Sequence, residues 1–238
     1  MSKDKLKDIV KLLVSITCFF GSGYLIIFIL KIFNVNINSL SIKWMIFLEL
    51  ILAVIVSIVI TIIYLKDLKK DIKEFKKNLN KNITYIIKMF LIFMVVKYIV
   101  SILSTLIMMA FGYEMEAMTS VNQSTIEEYV KSFPWIMVFT TSVLAPLYEE
   151  TLFRLGFRKV INNRFWFVII SGFIFGIMHV FPLAEGIDVM LGILQSISYV
   201  TMGIFLAYSY QRTNNIFTSI GIHFLNNFLS VLVMINMM

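Results

Sequence analysis

Residues 134–157 read PWIMVFTTSVLAPLYEETLFRLGF. The run is long enough to cross a hydrocarbon core of about 30 Å, yet it carries two adjacent glutamates and an arginine. A charge at bilayer depth costs roughly 2.5–3.5 kcal/mol on insertion scales, so Glu149, Glu150 and Arg154 need a reason to be there, and the default reason is a functional site. Helical spacing separates their roles. Glu150 and Arg154 stand at i, i+4 and share a face, where an ion pair neutralises both. Glu149 is rotated by about 100° and lacks that partner, which suits a general base. A purely structural polar knot between helices is the competing reading. Pro146 removes a backbone donor three residues earlier, a break that membranes tolerate only where it is packed in protein or lines a water-filled cavity.

Outward from this run the chain is apolar throughout. Of its 238 residues, 59% are hydrophobic, with 22 Phe and 15 Met, and mean hydropathy is +0.89, outside the range of soluble domains. Apolar runs at 9–32, 44–65, 84–111, 134–157, 165–182, 187–209 and 215–237 predict an all-α polytopic transmembrane bundle of about seven spans. Lys and Arg orient it: Lys3 to Lys11, Lys66 to Lys81, Arg158, Lys159, Arg164 and Arg212 fall on one side, against Lys31, Lys43 and Lys131 on the other. The N-terminus is therefore expected in the cytoplasm and the C-terminus outside. The first span is too long for a signal peptide and has no small-residue cleavage site, so it is expected to be retained. The formal charge of +7 is topological and does not point to nucleic acid, because the aromatic residues fill membrane segments. The single Cys18 excludes a disulfide framework and a thiolate metal site within the chain.

The organisation divides at about residue 130. Residues 1–130 supply three spans, a basic segment at 66–82 and the start of an acidic loop at 113–133; residues 131–238 supply four spans and most of the chemistry. In 66–82, Leu65, Leu68, Ile72, Phe75, Leu79 and Ile83 recur at helical spacing among seven lysines, a basic amphipathic helix suited to the anionic inner leaflet or to a solvated connector. In 113–133, Ser124 and Glu127 have capping-box spacing before a short helix over Ile126–Val130. Glu49 and Lys97, roughly 8 and 9 Å below the outer surface by helix rise, are expected to pair.

Both histidines of the chain lie downstream in apolar spans. His179 follows Phe175 at i+4 in FGIMH, and His223 precedes Asn227 at i+4 in HFLNN. Glu149, His179, His223 and Asn227 offer a base, imidazoles and an amide donor, a set sufficient for water-mediated peptide hydrolysis. HExxH spacing is absent because the histidines lie 44 residues apart, and neither a GxSxG motif nor paired membrane aspartates occur. A zinc ion held by Glu149, His179 and His223 is the alternative to a metal-free site.

EETLFR, FGIMH and HFLNN resemble, in order, the EExxxR, FxxxH and HxxxN motifs of the CPBP family of intramembrane proteases, which comprises CAAX prenyl proteases and bacteriocin-processing or immunity enzymes. The resemblance covers about residues 130–235. It implies a glutamate-dependent endopeptidase opening towards the cytoplasm, with Glu149 activating water, His179 assisting, His223 and Asn227 forming the oxyanion hole, and Glu150 with Arg154 in support. One strain accompanies it. Counted from the cytoplasmic ends, Glu149 and His223 lie roughly 10 Å deep, Asn227 roughly 16 Å and His179 roughly 21 Å. The Lys- and Ile-rich composition points to a bacterial cell membrane. Expected substrates are short peptides or membrane-anchored proteins: pheromones, bacteriocin leaders, signal-peptide remnants or CAAX-like C-termini. The alternative is a non-catalytic scaffold or immunity protein that binds a partner through the same cavity. A proton-relay transporter is disfavoured by the lack of internal repeats.

Overall fold

Pro134 takes the first helical position of a continuous rod that ends at Val160 in the computed structural model of the chain, which describes residues 2–180 and 188–238. The rod comprises α6 (Pro134–Phe139), α7 (Ala145–Glu150) and α8 (Phe157–Val160), joined by π turns at Thr140–Leu144 and Thr151–Gly156. Pro146 explains a feature of the first turn. The Ala145 N–H bonds back to Thr140 O, five residues earlier. In that register residue 146 would serve Thr141 O, and proline has no N–H to give. Asn227 Nδ2 donates to Thr141 O instead, at 2.8 Å.

Around the rod stand α1 (Lys3–Ile32), α2 (Ile42–Ile63), α4 (Leu79–Ala110), α9 (Arg164–Met178), α10 (Val189–Thr213) and α11 (Ile216–Asn236), with the shorter α3 (Leu65–Lys77) and α5 (Val121–Ser132) at the ends. Among the described residues no strand occurs. Among the described residues five helices, α1, α2, α4, α10 and α11, are long and apolar enough to cross a bilayer, as a membrane bundle requires. α9 has 15 residues, or about 22 Å, and falls short of a full crossing by itself. The end of the expected span 165–182 and the start of 187–209 reach residues outside those described. Asn163, Asp188 and Asn215 cap α9, α10 and α11 by accepting from Trp166, Met190 and Phe217 N–H. Asn214 adopts φ 50°, the left-handed turn that joins α10 to α11.

The basic connectors gather at one end. Lys5 Nζ donates to Lys159 O at 3.1 Å and to Asn162 Oδ1 at 3.0 Å, and Lys159 pairs with Asp67 at 2.9 Å. There Asn215 Nδ2 donates to Asp71 O at 2.7 Å, and Asp71 Oδ2 accepts from Ile216 N–H at 3.0 Å. Burial pushes the Asp71 carboxyl above its usual range, opposed by that N–H. The opposite end is tied by Tyr113 to Asp188, by Ser120 to Tyr199 at 2.8 Å and by Gln195 to Thr119 O at 3.4 Å.

Three expectations change. The single helix expected over 66–82 breaks at Asn78, and its apolar face turns onto the bundle: Leu68 is buried and Phe75 lies 6.1 Å from Phe217. The acidic-loop helix starts at Val121, capped by Ser120, because the Ser120 hydroxyl reaches Gln123 N–H while Ser124 bonds back to Val121 O. Glu49 and Lys97 form no ion pair; Lys97 Nζ donates to Asn226 Oδ1 at 2.9 Å, and both charged groups line one cavity.

Close packing of α9 on α10 fixes the remaining site element. A Cβ at Gly176 would lie 2.4 Å from Val200 Cα, and one at Gly172 would lie 2.6 Å from Ile204 N. Only glycine permits this approach, the small-residue packing expected between membrane helices.

Candidate active site

The two glutamates have different surroundings. Glu150 is fully buried and saturated: Arg154 Nε donates to Oε2 at 3.0 Å and Nη2 to Oε1 at 3.4 Å, His223 Nδ1 lies 3.0 Å from Oε1, and the Ser219 hydroxyl donates to Oε2. Arg154, also fully buried, spends Nη1 on Ser171 Oγ at 2.8 Å, and its guanidinium covers the Phe175 ring at 4.6 Å. The i, i+4 pair read from the sequence is thus the centre of a cross-helix network. Such a pair holds when further hydrogen bonds satisfy its remaining groups, and here Ser171, Ser219 and His223 supply them.

Glu149 Oε2 has no hydrogen-bond partner among the described residues. Two imidazoles face it, with Oε2 4.0 Å from His179 Nε2 and 3.9 Å from His223 Nε2. His179 sits just past the end of α9. Its Nδ1 lies 2.8 Å from Phe175 O, and its ring stacks on Tyr199 at 4.9 Å and 15°. A carbonyl only accepts, so His179 Nδ1 carries the proton of the neutral ring and Nε2 presents a lone pair to Glu149. The same holds for His223, whose Nδ1 faces the carboxylate already paired with Arg154. Asn227 lines the same cavity, but one of its N–H groups is spent on Thr141 O, and its Oδ1 accepts from Asn226 Nδ2 at 2.9 Å.

The depth strain resolves at two places. The rod runs on to Val160, so Glu149 lies roughly 16 Å from its end and closer in depth to His179. α11 begins inside the protein, with Asn215 and Ile216 buried beneath α3, so a count from the surface places His223 too shallow.

Residues the sequence reading missed are Ser171, Ser219, Tyr199 and Asn226. The first two were within reach. Ser171–Phe175–His179 and Ser219–His223–Asn227 each step by four, so each serine shares a face with a motif histidine. Tyr199 and Asn226 carry no such signal.

A tetrahedral zinc at ordinary bond lengths holds its ligand atoms about 3.3 Å apart. The Glu149 to histidine separations of 3.9–4.0 Å are wider, and among the described residues no three His, Cys, Asp or Glu side chains group as a metal site.

A cavity of about 520 Å³ has Glu149, His179 and His223 in its wall. From them it extends along α4, α10 and α11 to Asn122, Gln123 and Glu127 of α5, away from the basic connectors.

Residues 131–229 match the model of the Rce1-like family, described as type II CAAX prenyl endopeptidases. The match includes Glu149, Glu150, Arg154, His179, His223 and Asn227. Comparison with curated proteins returned no match, and comparison with solved structures returned none.

Proposed function

We propose that the protein is a seven-pass intramembrane endopeptidase, its N-terminus cytoplasmic, in which Glu149 activates the water that attacks a peptide carbonyl. The family suggests CAAX-type endopeptidase activity. The observation that carries the finer reading is the contrast between a saturated Glu150 and a Glu149 oxygen without a partner, set between two Nε2 atoms.

Charge counting gives the mechanism. With Glu149, Glu150 and Arg154 ionised and both imidazoles neutral, the cluster carries one net negative charge. Low dielectric favours neutrality, so one proton is shared between Glu149 and the imidazoles. With that proton on His223 Nε2, Glu149 is a carboxylate able to take a proton from water, and His223 becomes a donor for the oxyanion, its new charge balanced by Glu150. The hydroxide adds to the carbonyl carbon, and the intermediate collapses by breaking the C–N bond. The proton gathered by Glu149 passes to the departing amine nitrogen, directly or through His179. Asn227 has one N–H left for the oxyanion. No step requires a metal; zinc remains the alternative, decided by metal analysis and chelation of active enzyme.

Membranes from cells making the wild-type protein and the Glu149→Gln variant are compared by peptidomics. Products present only with Glu149, at rates about 10² to 10⁴ higher, are expected. Identical peptidomes at equal protein levels would remove Glu149 from the mechanism.

A further inference from the structure

The glycines that set the α9–α10 spacing also set a register. Gly176 stands against Val200 and Gly172 against Ile204, so the two helices run antiparallel. Carried on by about two turns, that register brings Arg164, the first residue of α9, level with Arg212 near the end of α10. A third cation comes from the rod. Only residues 161–163 separate α8 from α9. Arg158 Nη1 donates to Ile161 O at 2.7 Å and to Asn162 O at 3.1 Å, which holds its guanidinium over the Phe167 ring. The result is a second pocket of about 390 Å³, lined by Arg158, Arg164, Tyr210, Gln211, Arg212 and Asn214. It shares no residue with the Glu149 cavity.

Three positive charges meet there, and no lining residue is acidic. The side chains of Arg164 and Arg212 make no hydrogen bond or ion pair among the described residues, and Arg158 keeps Nε and Nη2 unspent. The acidic residues of neighbouring α3 are engaged elsewhere: Asp67 pairs with Lys159 at 2.9 Å, Glu74 with Lys77 at 2.9 Å, and Asp71 accepts from Ile216 N–H. Arg164 is also set against its own helix, because a cation at a helix N-terminus opposes the macrodipole. An anion in the pocket relieves both the mutual repulsion and this misplacement. Guanidinium forks match the oxygens of phosphate in particular.

We propose that this pocket binds the phosphate group of an anionic phospholipid. The surrounding rings favour a lipid over free phosphate. Phe165 and Trp166, directly after Arg164, are 64% and 54% exposed and meet edge to face, and Tyr208 is exposed on α10. Exposed aromatic rings beside basic residues belong at the headgroup level of a bilayer. Basic pockets between membrane helices are suited to anionic headgroups. In the orientation proposed above, the leaflet is the cytoplasmic one. A phosphate held there ties together the ends of the rod, α9 and α10, the elements that carry Glu149, lead to His179 and carry Tyr199. The proposal does not depend on the protease reading.

The test uses the full-length protein with Trp44→Phe and Trp135→Phe, which leaves Trp166 as the single tryptophan at the mouth of the pocket. It is reconstituted in phosphatidylcholine vesicles containing increasing fractions of brominated phosphatidylglycerol or, in parallel, brominated phosphatidylcholine. Quenching of Trp166 reads the lipid beside it. An enrichment of phosphatidylglycerol of about tenfold is expected. It should vanish in Arg164→Gln, Arg212→Gln and fall only in part in Arg164→Lys, Arg212→Lys, which keeps the charge but not the fork. Lys69→Gln, Lys73→Gln, on exposed α3, should leave it unchanged. Equal quenching by the two lipids in the parent protein would overturn the proposal whether or not any variant folds. So would a preference that survives in the Arg→Gln pair, or one lost equally in the α3 pair, which would make it a property of the general surface charge. A preference abolished by millimolar inorganic phosphate, but not by chloride of equal ionic strength, would assign the pocket to free phosphate and overturn the lipid.

Discussion

The first three long helices and the last two solve the same problem with opposite means. In the most apolar stretches of α1, α2 and α4 only 11%, 22% and 6% of residues are buried within the protein, against 44% and 39% in α10 and α11. The former are staves with most of their apolar surface exposed, and hydropathy is nearly all they need. The α1 serines bond locally, Ser15 to Lys11 O at 2.8 Å and Ser22 to Phe19 O at 2.9 Å, while α4 reaches the core at two points, Lys97 to Asn226 and Ser104 to Leu194 O at 3.0 Å. In the core, serines bridge helices, Ser171 to Arg154 and to Phe153 O, and Ser219 to Glu150. Cross-helix polar bonds fix one arrangement of side chains, which a buried polar site requires and an exposed apolar stave does not. The family match, at 131–229, falls on the second region.

The sharpest way to break this contrast is to unbalance the buried network. Arg154→Met leaves Glu150 charged in the interior beside Ser219 and His223, and removal of one partner of a buried pair costs about 3–5 kcal/mol. A fall of that size in unfolding free energy, measured by denaturant titration in detergent, is expected. The Glu150→Gln, Arg154→Met double variant should recover part of it while remaining inactive, because His223 Nδ1 no longer faces a carboxylate. A single variant as stable as wild type would show that the network is dispensable to the fold.

Much of this network was legible in the sequence, for a physical reason. Ionisable residues in apolar runs are so costly that their presence marks the site, and i, i+4 spacing alone paired Glu150 with Arg154 and left Glu149 apart. The all-helical class followed from apolar runs of bilayer length. What depended on three-dimensional approach was not legible. The α11 start buried beneath α3 displaced the depth count for His223, and the choice of Asn226 over Glu49 as partner of Lys97 rests on which helices lie side by side. The π turn was half visible: Pro146 announces a missing donor, but not which carbonyl loses it or that Asn227 replaces it.

Helix spacing in the core offers a smaller test. Gly176→Ala forces a methyl group to within 2.4 Å of Val200 Cα, and overpacking of this kind costs about 1–3 kcal/mol. Because His179 lies three residues on, peptide cleavage should fall further than the loss of folded protein accounts for. The comparison is the rate per folded molecule against the melting shift.

The π turn gives a cycle of about 1 kcal/mol. Asn227→Ala leaves Thr141 O without its donor, and Pro146→Ala supplies a backbone N–H that can take its place, so the double variant should be more stable than the two single effects predict. Activity separates the roles of Asn227. If the amide serves only Thr141, the double variant regains cleavage; if its second N–H binds the oxyanion, stability returns without cleavage.

The smallest effect belongs to the staves. Ser15→Ala removes a hydroxyl that bonds back to Lys11 O of its own helix, where that carbonyl keeps its backbone partner, and that also faces the Tyr64 hydroxyl. A change within about 0.5 kcal/mol and unaltered cleavage are expected. Ser15 is nevertheless fully buried where α1 meets the rest of the protein, so this position tests the contrast where it is weakest. A loss as large as that of the core variants would mean that α1 is an integral wall of the site, and that the boundary near residue 130 divides the sequence but not the machine.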